Sequence, residues 1–257
     1  MVMKSVRQAQ ITRLVDEREA LTVTDLGRML EVSEATIRRD LDELALDGSI
    51  VRTHGGAMKA ETLGRERPLN ERHDIMPAAK ADIALRAARL ANPGDTIFMG
   101  SGTTVELMAR HLVDLEDLTV ISNSLPVIDI LSGVPNVDLI VIGGAFRRSE
   151  LSMVGLFAVD AIKSFRADKV FMGMRAIDVE EGFTGDAIDE AMTDRAIIEI
   201  GRQSVVLADH TKFGAVSSVY LAPLDCADLI ITDMGLDDTV AAAIIEAGVQ
   251  VILAGRE

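Results

Sequence analysis

Residues 33–57 read SEATIRRDLDELALDGSIVRTHGGA, and this stretch decides the fold of the N-terminal part of the chain. Ser33 suits a helix N-cap, because its hydroxyl can accept from an orphan amide of the first turn. Gly48 supplies a left-handed stop. Between them Ile37, Leu41, Leu44 and Ala45 recur at the spacing of one apolar helical stripe. At about 100° per residue, Ala35 and Arg39 lie opposite that stripe, with Thr36 and Arg38 on its flanks. The outward N-terminal half of this helix thus offers two guanidiniums, a hydroxyl and a methyl, groups that match phosphates and base edges in a DNA major groove.

The residues upstream agree. An amphipathic segment over residues 6–19 carries Ile11, Leu14 and Val15 as its apolar marks. Thr24 is placed to cap a short helix over residues 25–30, and Glu31-Val32 make the turn into the helix after Ser33. Two short helices joined by a tight turn, the second bearing outward Arg, is the helix-turn-helix arrangement. Downstream, Ile50, Val51 and Arg52 read as a strand, His54-Gly55-Gly56 as a turn and Ala57-Met58 as the return, which makes a wing from which Arg52 or His54 can reach a phosphate. The plainer alternative is a three-helix protein-binding module with an Arg on a solvated face. Cap, stripe, Arg pair, stop and wing agree on the first.

Residues 7–57 resemble the winged helix-turn-helix head of the DeoR family of bacterial transcriptional regulators. The resemblance is carried by Val32-Ser33, Thr36-Ile37-Arg38-Arg39-Asp40-Leu41, Leu44, Gly48, Arg52 and His54-Gly55-Gly56-Ala57. It implies a regulator, most often a repressor, of genes for sugar or sugar-phosphate use, with a C-terminal domain that senses a phosphorylated metabolite.

Composition is consistent with that division. The chain has 257 residues, 48% of them hydrophobic, enough for a sizeable core. Its one cysteine, Cys226, excludes an intramolecular disulfide and reads as a small buried hydrophobe rather than a catalytic thiol. No export signal and no apolar run of about 18 residues is evident, so the expected location is cytoplasmic, with no membrane partner. The net charge is −15. Residues 1–58 hold 8 of the 26 Lys+Arg and 10 of the 41 Asp+Glu, so the head is nearly neutral and the remainder strongly acidic. A general basic patch is missing, which counts against nucleic-acid binding. Placement outweighs the total: Arg38, Arg39 and Arg52 fall together, and phosphate repels the acidic body, leaving the head as the part able to approach DNA.

Three segments follow from this reading: a head over residues 1–58, a linker over residues 59–77 and a second domain over residues 78–257. The linker is charged and holds Pro68 and Pro77, each restricting the residue before it, and part of it is expected to pack on the second domain. From residue 78 onward, apolar runs recur at residues 96–99, 118–121, 139–142, 169–172, 204–207, 229–231 and 249–253. Helical patterns at 79–91, 104–112, 125–131, 190–201 and 236–247 fall between most of them. This alternation predicts an α/β domain with a largely parallel sheet.

Polar residues collect just after those runs, where open parallel sheets bind ligands. Gly100-Ser101-Gly102-Thr103-Thr104 leads into a helix; glycines let amides approach a phosphate, hydroxyls add donors and the helix N-terminus favours an anion. The loop lacks the spacing and lysine of a Walker loop. Ser122-Asn123-Ser124, Gly143-Gly144 and Gly173 end later runs, and Asp209-His210-Thr211-Lys212 follows Leu207. Lys212 supplies a countercharge and Asp209 a partner for it or for a sugar hydroxyl, while Asp178, Gly182 and Thr184 are expected in a long loop after Gly173. Four polar strand ends together suggest one pocket for an anionic sugar. No metal site or cofactor is assigned.

The DeoR resemblance extends over this half through the same segments, together with Gly182-Phe183-Thr184 and residues 208–214. It implies a sensor domain similar in fold to ribose-5-phosphate isomerase and glucosamine-6-phosphate deaminase. Where pentose-phosphate isomerases carry a carboxylate pair, this chain has Gly173-Met174-Arg175-Ala176-Ile177-Asp178, so no base is positioned to move a proton beside a carbonyl. The expectation is a non-enzymatic regulator, a homodimer or homotetramer, that binds a double-stranded DNA operator under control of a phosphorylated sugar. The alternatives are an active sugar-phosphate isomerase or deaminase with a DNA-binding head, and a nucleotide-responsive regulator.

Overall fold

The computed structural model describes residues 4–18, 20–30, 32–46, 50–53, 55–59 and 68–255. The chain forms two units, residues 1–63 and residues 64–257. Among the described residues no helix is long and apolar enough to cross a membrane.

In the first unit α1 (Lys4–Arg18) is followed by β1 (Ala20–Thr22), α2 (Val23–Leu30), α3 (Glu34–Leu46), β2 (Ile50–Thr53) and β3 (Gly56–Lys59). Ile11 and Val15 of α1, Leu26 of α2, and Ile37, Leu41 and Leu44 of α3 close over Ile50 and Ala57, so the apolar stripes read from sequence do meet in one core. Ser33 caps α3: its carbonyl accepts from the Thr36 and Ile37 amides, and its Oγ lies 3.3 Å from the Thr36 amide. The cap expected of Thr24 belongs instead to Thr22, whose hydroxyl oxygen accepts from the Asp25 amide (3.1 Å), so that Thr24 lies inside α2 and bonds Glu34. The shift has a cause outside the local sequence. Residues 20–22 become a third strand against β3, and the helix must start where that strand ends. Thr22 pairs with Gly56, where any Cβ would lie 2.0 Å from the Leu21 carbonyl oxygen, so the wing needs glycine at that point. Gly48 and His54, read as helix stop and wing turn, lie outside the described residues.

The second unit begins its regular structure with a short turn of helix (Leu69–Arg72) and α4 (Pro77–Ala88). β4 (Thr96–Met99), α5 (Thr103–Arg110), β5 (Leu118–Ser122), α6 (Leu125–Leu131) and β6 (Val137–Val141) follow. A hairpin, β7 (Ala145–Arg147) and β8 (Ser152–Val154), leads into α7 (Leu156–Lys163) and β9 (Lys169–Gly173). β10 (Ala176–Asp178), β11 (Gly182–Gly185), α8 (Ile188–Ile200), β12 (Ser204–Leu207), β13 (Val219–Ala222), β14 (Leu229–Asp233), α9 (Asp238–Glu246) and β15 (Gln250–Ala254) complete it.

Seven strands form one parallel sheet in the order β15-β14-β12-β9-β4-β5-β6. Side chains alternate between its faces. Ile97, Met99, Phe171, Val205 and Leu207 meet α4, α5 and α6 on one side, while Phe98, Val170, Met172 and Val206 meet α7 and α8 on the other. Both faces are covered, which is why these strands read as unbroken apolar runs rather than alternating ones. Phe98 and Phe171 are fully buried, each a contribution of about 1.5–3 kcal/mol.

The β7–β8 hairpin was not expected, and two further features depart from the reading. Residues 156–163 form a helix that was not expected. The stretch holding Asp178, Gly182 and Thr184 is an antiparallel hairpin extended by β13 rather than a loop. Gly182 sits at φ 72°, and a Cβ there would lie 2.5 Å from the Ala222 carbonyl oxygen.

Candidate functional site

The sheet changes winding direction between β4 and β9. From β4 the chain winds outward through β5 and β6, then returns to the other side of β4 and winds away through β9, β12, β14 and β15. The loops that leave β4 and β9 therefore part from each other, and the gap beyond their C-terminal ends is the place where doubly wound sheets bind ligands. A cleft of about 720 Å³, open mouth included, lies there.

Its floor is residues 101–104, directly after β4. Gly102 is the N-cap of α5 at φ 124°, a conformation that suits glycine. It brings the loop against Gly173 at the end of β9, where an added Cβ would lie 3.2 Å from the Ser101 carbonyl oxygen. Thr103 and Thr104 begin α5 and are buried, so the first-turn amides and two hydroxyls are held at the floor with the positive end of the helix dipole. Asp209 and Lys212 enter from the turn after β12. Asp209 is buried and accepts from the Thr211 amide (3.0 Å) and hydroxyl, which fixes its carboxylate. Lys212 has no ion pair among the described residues. Thus Ser101, Gly102, Thr103, Thr104, Asp209 and Lys212 come together as the sequence suggested.

Gly173 and Thr184 line the cleft as well, whereas the remaining candidates do not. Ser122 donates to the Met99 carbonyl and accepts from the Ser124 amide, joining the ends of β4 and β5. Asn123 donates to the Met153 carbonyl, tying β5 to β8, and Ser124 starts α6. Gly143 is exposed. Gly144 is a packing glycine, since a Cβ there would lie 2.8 Å from the Val154 carbonyl oxygen. Asp178 caps its hairpin turn, accepting from the Glu180 and Glu181 amides at 2.9 and 3.0 Å.

Sequence reasoning missed the side walls. Arg72, Lys80, Glu150, Arg175, Glu190 and Asp194 all line the cleft. Arg72 pairs with Glu150, Arg175 with Asp186 (3.1 Å), and Glu190 with Arg147. Lys80 is buried on the stripe that also holds Ile83, Ala84 and Ala87, and a lysine on an apolar helical face is a readable sign of a buried charge with a task. The cleft offers amides and cations for an anion, with carboxylates that accept from hydroxyls. Cys226 lies away from it, and burial pushes its thiol up to about 11, so it is not a nucleophile at neutral pH.

In the first unit the outward face of α3 carries Ala35, Arg38 and Arg39, all exposed. Arg38 is 3.6 Å from Glu34, a loose surface pair. Thr36 shares a hydrogen bond with the Ser33 hydroxyl (2.9 Å). Arg52, expected to reach a phosphate, is engaged within the fold: Nε donates to Asp42 (2.8 Å) and Nη1 to the Gly56 carbonyl (2.8 Å), which ties the wing to α3. Arg7 forks onto the buried Asp40 carboxylate, bracing α3 against α1 from its inner side.

Comparison with known proteins gives matches in both halves. The model of the DeoR-like helix-turn-helix domain matches residues 7–62, and that of the DeoR C terminal sensor domain matches residues 76–234. The transcriptional repressor AccR of Agrobacterium fabrum is 33% identical over 231 residues, covering 89% of each chain. The HTH-type transcriptional repressor GlcR of Bacillus subtilis is 31% identical over 227 residues, 88% of this chain and 87% of that protein. Among solved structures, ribose 5-phosphate isomerase A from Methanocaldococcus jannaschii matches 52% of this chain and 53% of its own at 17% identity, with a TM-score of 0.38.

Proposed function

The chain belongs to the DeoR family of helix-turn-helix transcriptional regulators, and from that premise we propose that it is a cytoplasmic repressor of carbohydrate genes whose operator binding is set by a phosphorylated sugar. The observation that carries the effector half is the convergence at the switch point. A helix N-terminus, two buried threonines and Lys212 face one cleft, with Asp209 held rigid beside them. The phosphate sits over residues 101–104 with Lys212 as countercharge, and the carboxylates of the walls accept from sugar hydroxyls. That AccR and GlcR are named repressors supports the sign of regulation.

Binding rather than catalysis is the reading for this cleft. Met174 and Arg175 stand at the end of β9, where the resemblance would place an isomerase's carboxylate pair, and two of the cleft's carboxylates, Glu150 and Glu190, are held in ion pairs with Arg72 and Arg147.

Self-association is assigned to the second unit. Leu156 and Phe157 open α7 at 66% and 80% exposure, and Ile188 opens α8 at 67%. The Gly155 amide donates to the Thr193 hydroxyl, which ties the start of α7 to α8. Exposed apolar residues in such a cluster mark an interaction surface, and helix-turn-helix proteins bind symmetric half-sites as dimers.

A thermal-shift screen of sugar phosphates and nucleotides, followed by operator binding with each hit, tests this reading. The expected result is stabilisation by a sugar phosphate that also alters operator affinity. Turnover of a phosphosugar, or stabilisation by nucleotides alone, overturns it.

A further inference from the structure

The stretch of chain that enters the second unit is itself a wall of the cleft. Leu69 is buried and its amide donates to the Ser149 carbonyl at 2.7 Å. Arg72 pairs with the buried carboxylate of Glu150. The buried ammonium of Lys80 donates to the Arg72 carbonyl at 2.6 Å. His73 Nε2 lies 2.8 Å from Glu106 on α5, the helix whose N-terminus floors the cleft. The segment ends at Met76, in the left-handed conformation at φ 51°. Arg72, Lys80 and Glu150 all face the cleft, so the side chains that fasten this segment are the same ones a ligand there would meet.

That dual use has a consequence. A phosphate dianion brings two negative charges to both cations at once, and an ammonium gains more from an anionic oxygen than from an uncharged carbonyl. The Lys80 bond to the Arg72 carbonyl is then the tie most readily exchanged. We propose that Arg72 and Lys80 couple the cleft to the DNA-binding head: an anionic effector draws both side chains onto itself, and residues 68–76 lose the fastenings those side chains provide. This rests on the effector reading above and adds the route by which occupancy leaves the cleft. A ligand alters operator affinity only if it binds two arrangements of the protein unequally, and a segment that is both ligand contact and tether supplies that inequality.

Amide hydrogen exchange on the full chain, with inorganic phosphate and then a panel of pentose and hexose monophosphates as probes, reads cleft and segment together. The expected result is protection over residues 101–106 with faster exchange at Leu69, Glu71 and Ile75, whose amides donate to the Ser149, Pro68 and Arg72 carbonyls. Protection at the cleft with unchanged exchange at those three amides overturns the coupling and leaves the effector site standing. No protection at the cleft with any probe overturns both. Operator titration is the second measurement. In the wild type, the ratio of operator Kd with and without a bound probe is expected at about 5- to 150-fold. In Lys80→Met, measured at probe concentrations that still saturate the cleft, the ratio is expected to fall toward one. A Lys80→Met ratio equal to that of the wild type overturns the proposal, and should that variant not fold, the exchange measurement on the wild type decides.

Discussion

His210 Nδ1 sits 2.7 Å from Asp233 Oδ2, and the His210 amide donates to the other oxygen of the same carboxylate at 2.7 Å. The pair pins the turn after β12, and with it Asp209 and Lys212, to the end of β14. The hydrogen bond to Asp233 raises the imidazole above its ordinary value. Burial pushes the Asp233 carboxyl up, but hydrogen bonds from the His210 ring and amide and from the Gly235 amide outweigh it and hold the group below the usual range. His210 therefore stabilises the fold fully below the unfolded imidazole value of about 6.5, and that contribution is lost as pH rises through its raised folded value. Asp233 contributes above the unfolded carboxylate value of about 3.9 and loses its contribution as pH falls through the lowered folded value. Denaturant unfolding across pH is expected to show stability declining above about pH 6.5, with that limb flattened in Asp233→Asn. An unchanged slope in the variant removes this pair as its source.

Arg39 points outward from α3 and is the stronger candidate for base contact, since Arg38 shares its charge with Glu34. Arg39→Ala is expected to cost about 1–3 kcal/mol of operator binding if the contact is bidentate. Thermal stability should move by less than about 0.5 kcal/mol, as for other exposed substitutions. Fluorescence anisotropy with a labelled operator checks it. Wild-type affinity in the Arg38→Ala, Arg39→Ala double variant rules out this face.

Lys212→Ala is expected to remove a charge-assisted contact of about 1.5–3 kcal/mol. The corresponding loss of effector affinity is roughly tenfold to a hundredfold, read by calorimetry with the sugar phosphate that emerges from the screen. A variant that titrates like the wild type places the phosphate elsewhere.

Phe157→Asp sets a charge on the exposed apolar start of α7. If that face joins two copies, the variant gives up about 1.5–3 kcal/mol of burial for each ring withdrawn and is expected to run as a monomer by light scattering. Its operator binding should then weaken as well. An unchanged assembly state shows that the copies meet through another surface.

The parts legible in the sequence were those set by local rules. Ser33 and the Ile37, Leu41 and Leu44 stripe belong to one helix, and the seven runs that became the parallel sheet are continuous because both sheet faces are buried. Tertiary pairing decided the rest. Ala20, Leu21 and Thr22 form a strand because β3 offers them an edge, and Thr22 becomes the cap as a result. Residues 182–185 read as a glycine-rich loop until β13, more than thirty residues on, pairs with them. The site divides the same way. The floor residues lie at strand ends, where topology alone locates them, whereas Arg72, Glu150 and Asp194 come from a linker, a hairpin and a helix that only the folded chain brings to one place.

The switch point also governs when the cleft can exist. Ile97 pairs with Lys169, so the central pair of the sheet joins two stretches separated by β5, β6, the hairpin and α7. Contacts of such sequence separation form slowly, because a long loop must close before they stabilise anything. During synthesis the loop after β4 emerges with one wall only, and its opposite wall waits for β9 and β12. The cleft of the nascent second unit thus stays incomplete until β12 has been made. Any fragment that ends before β12 carries the loop without the cleft around it.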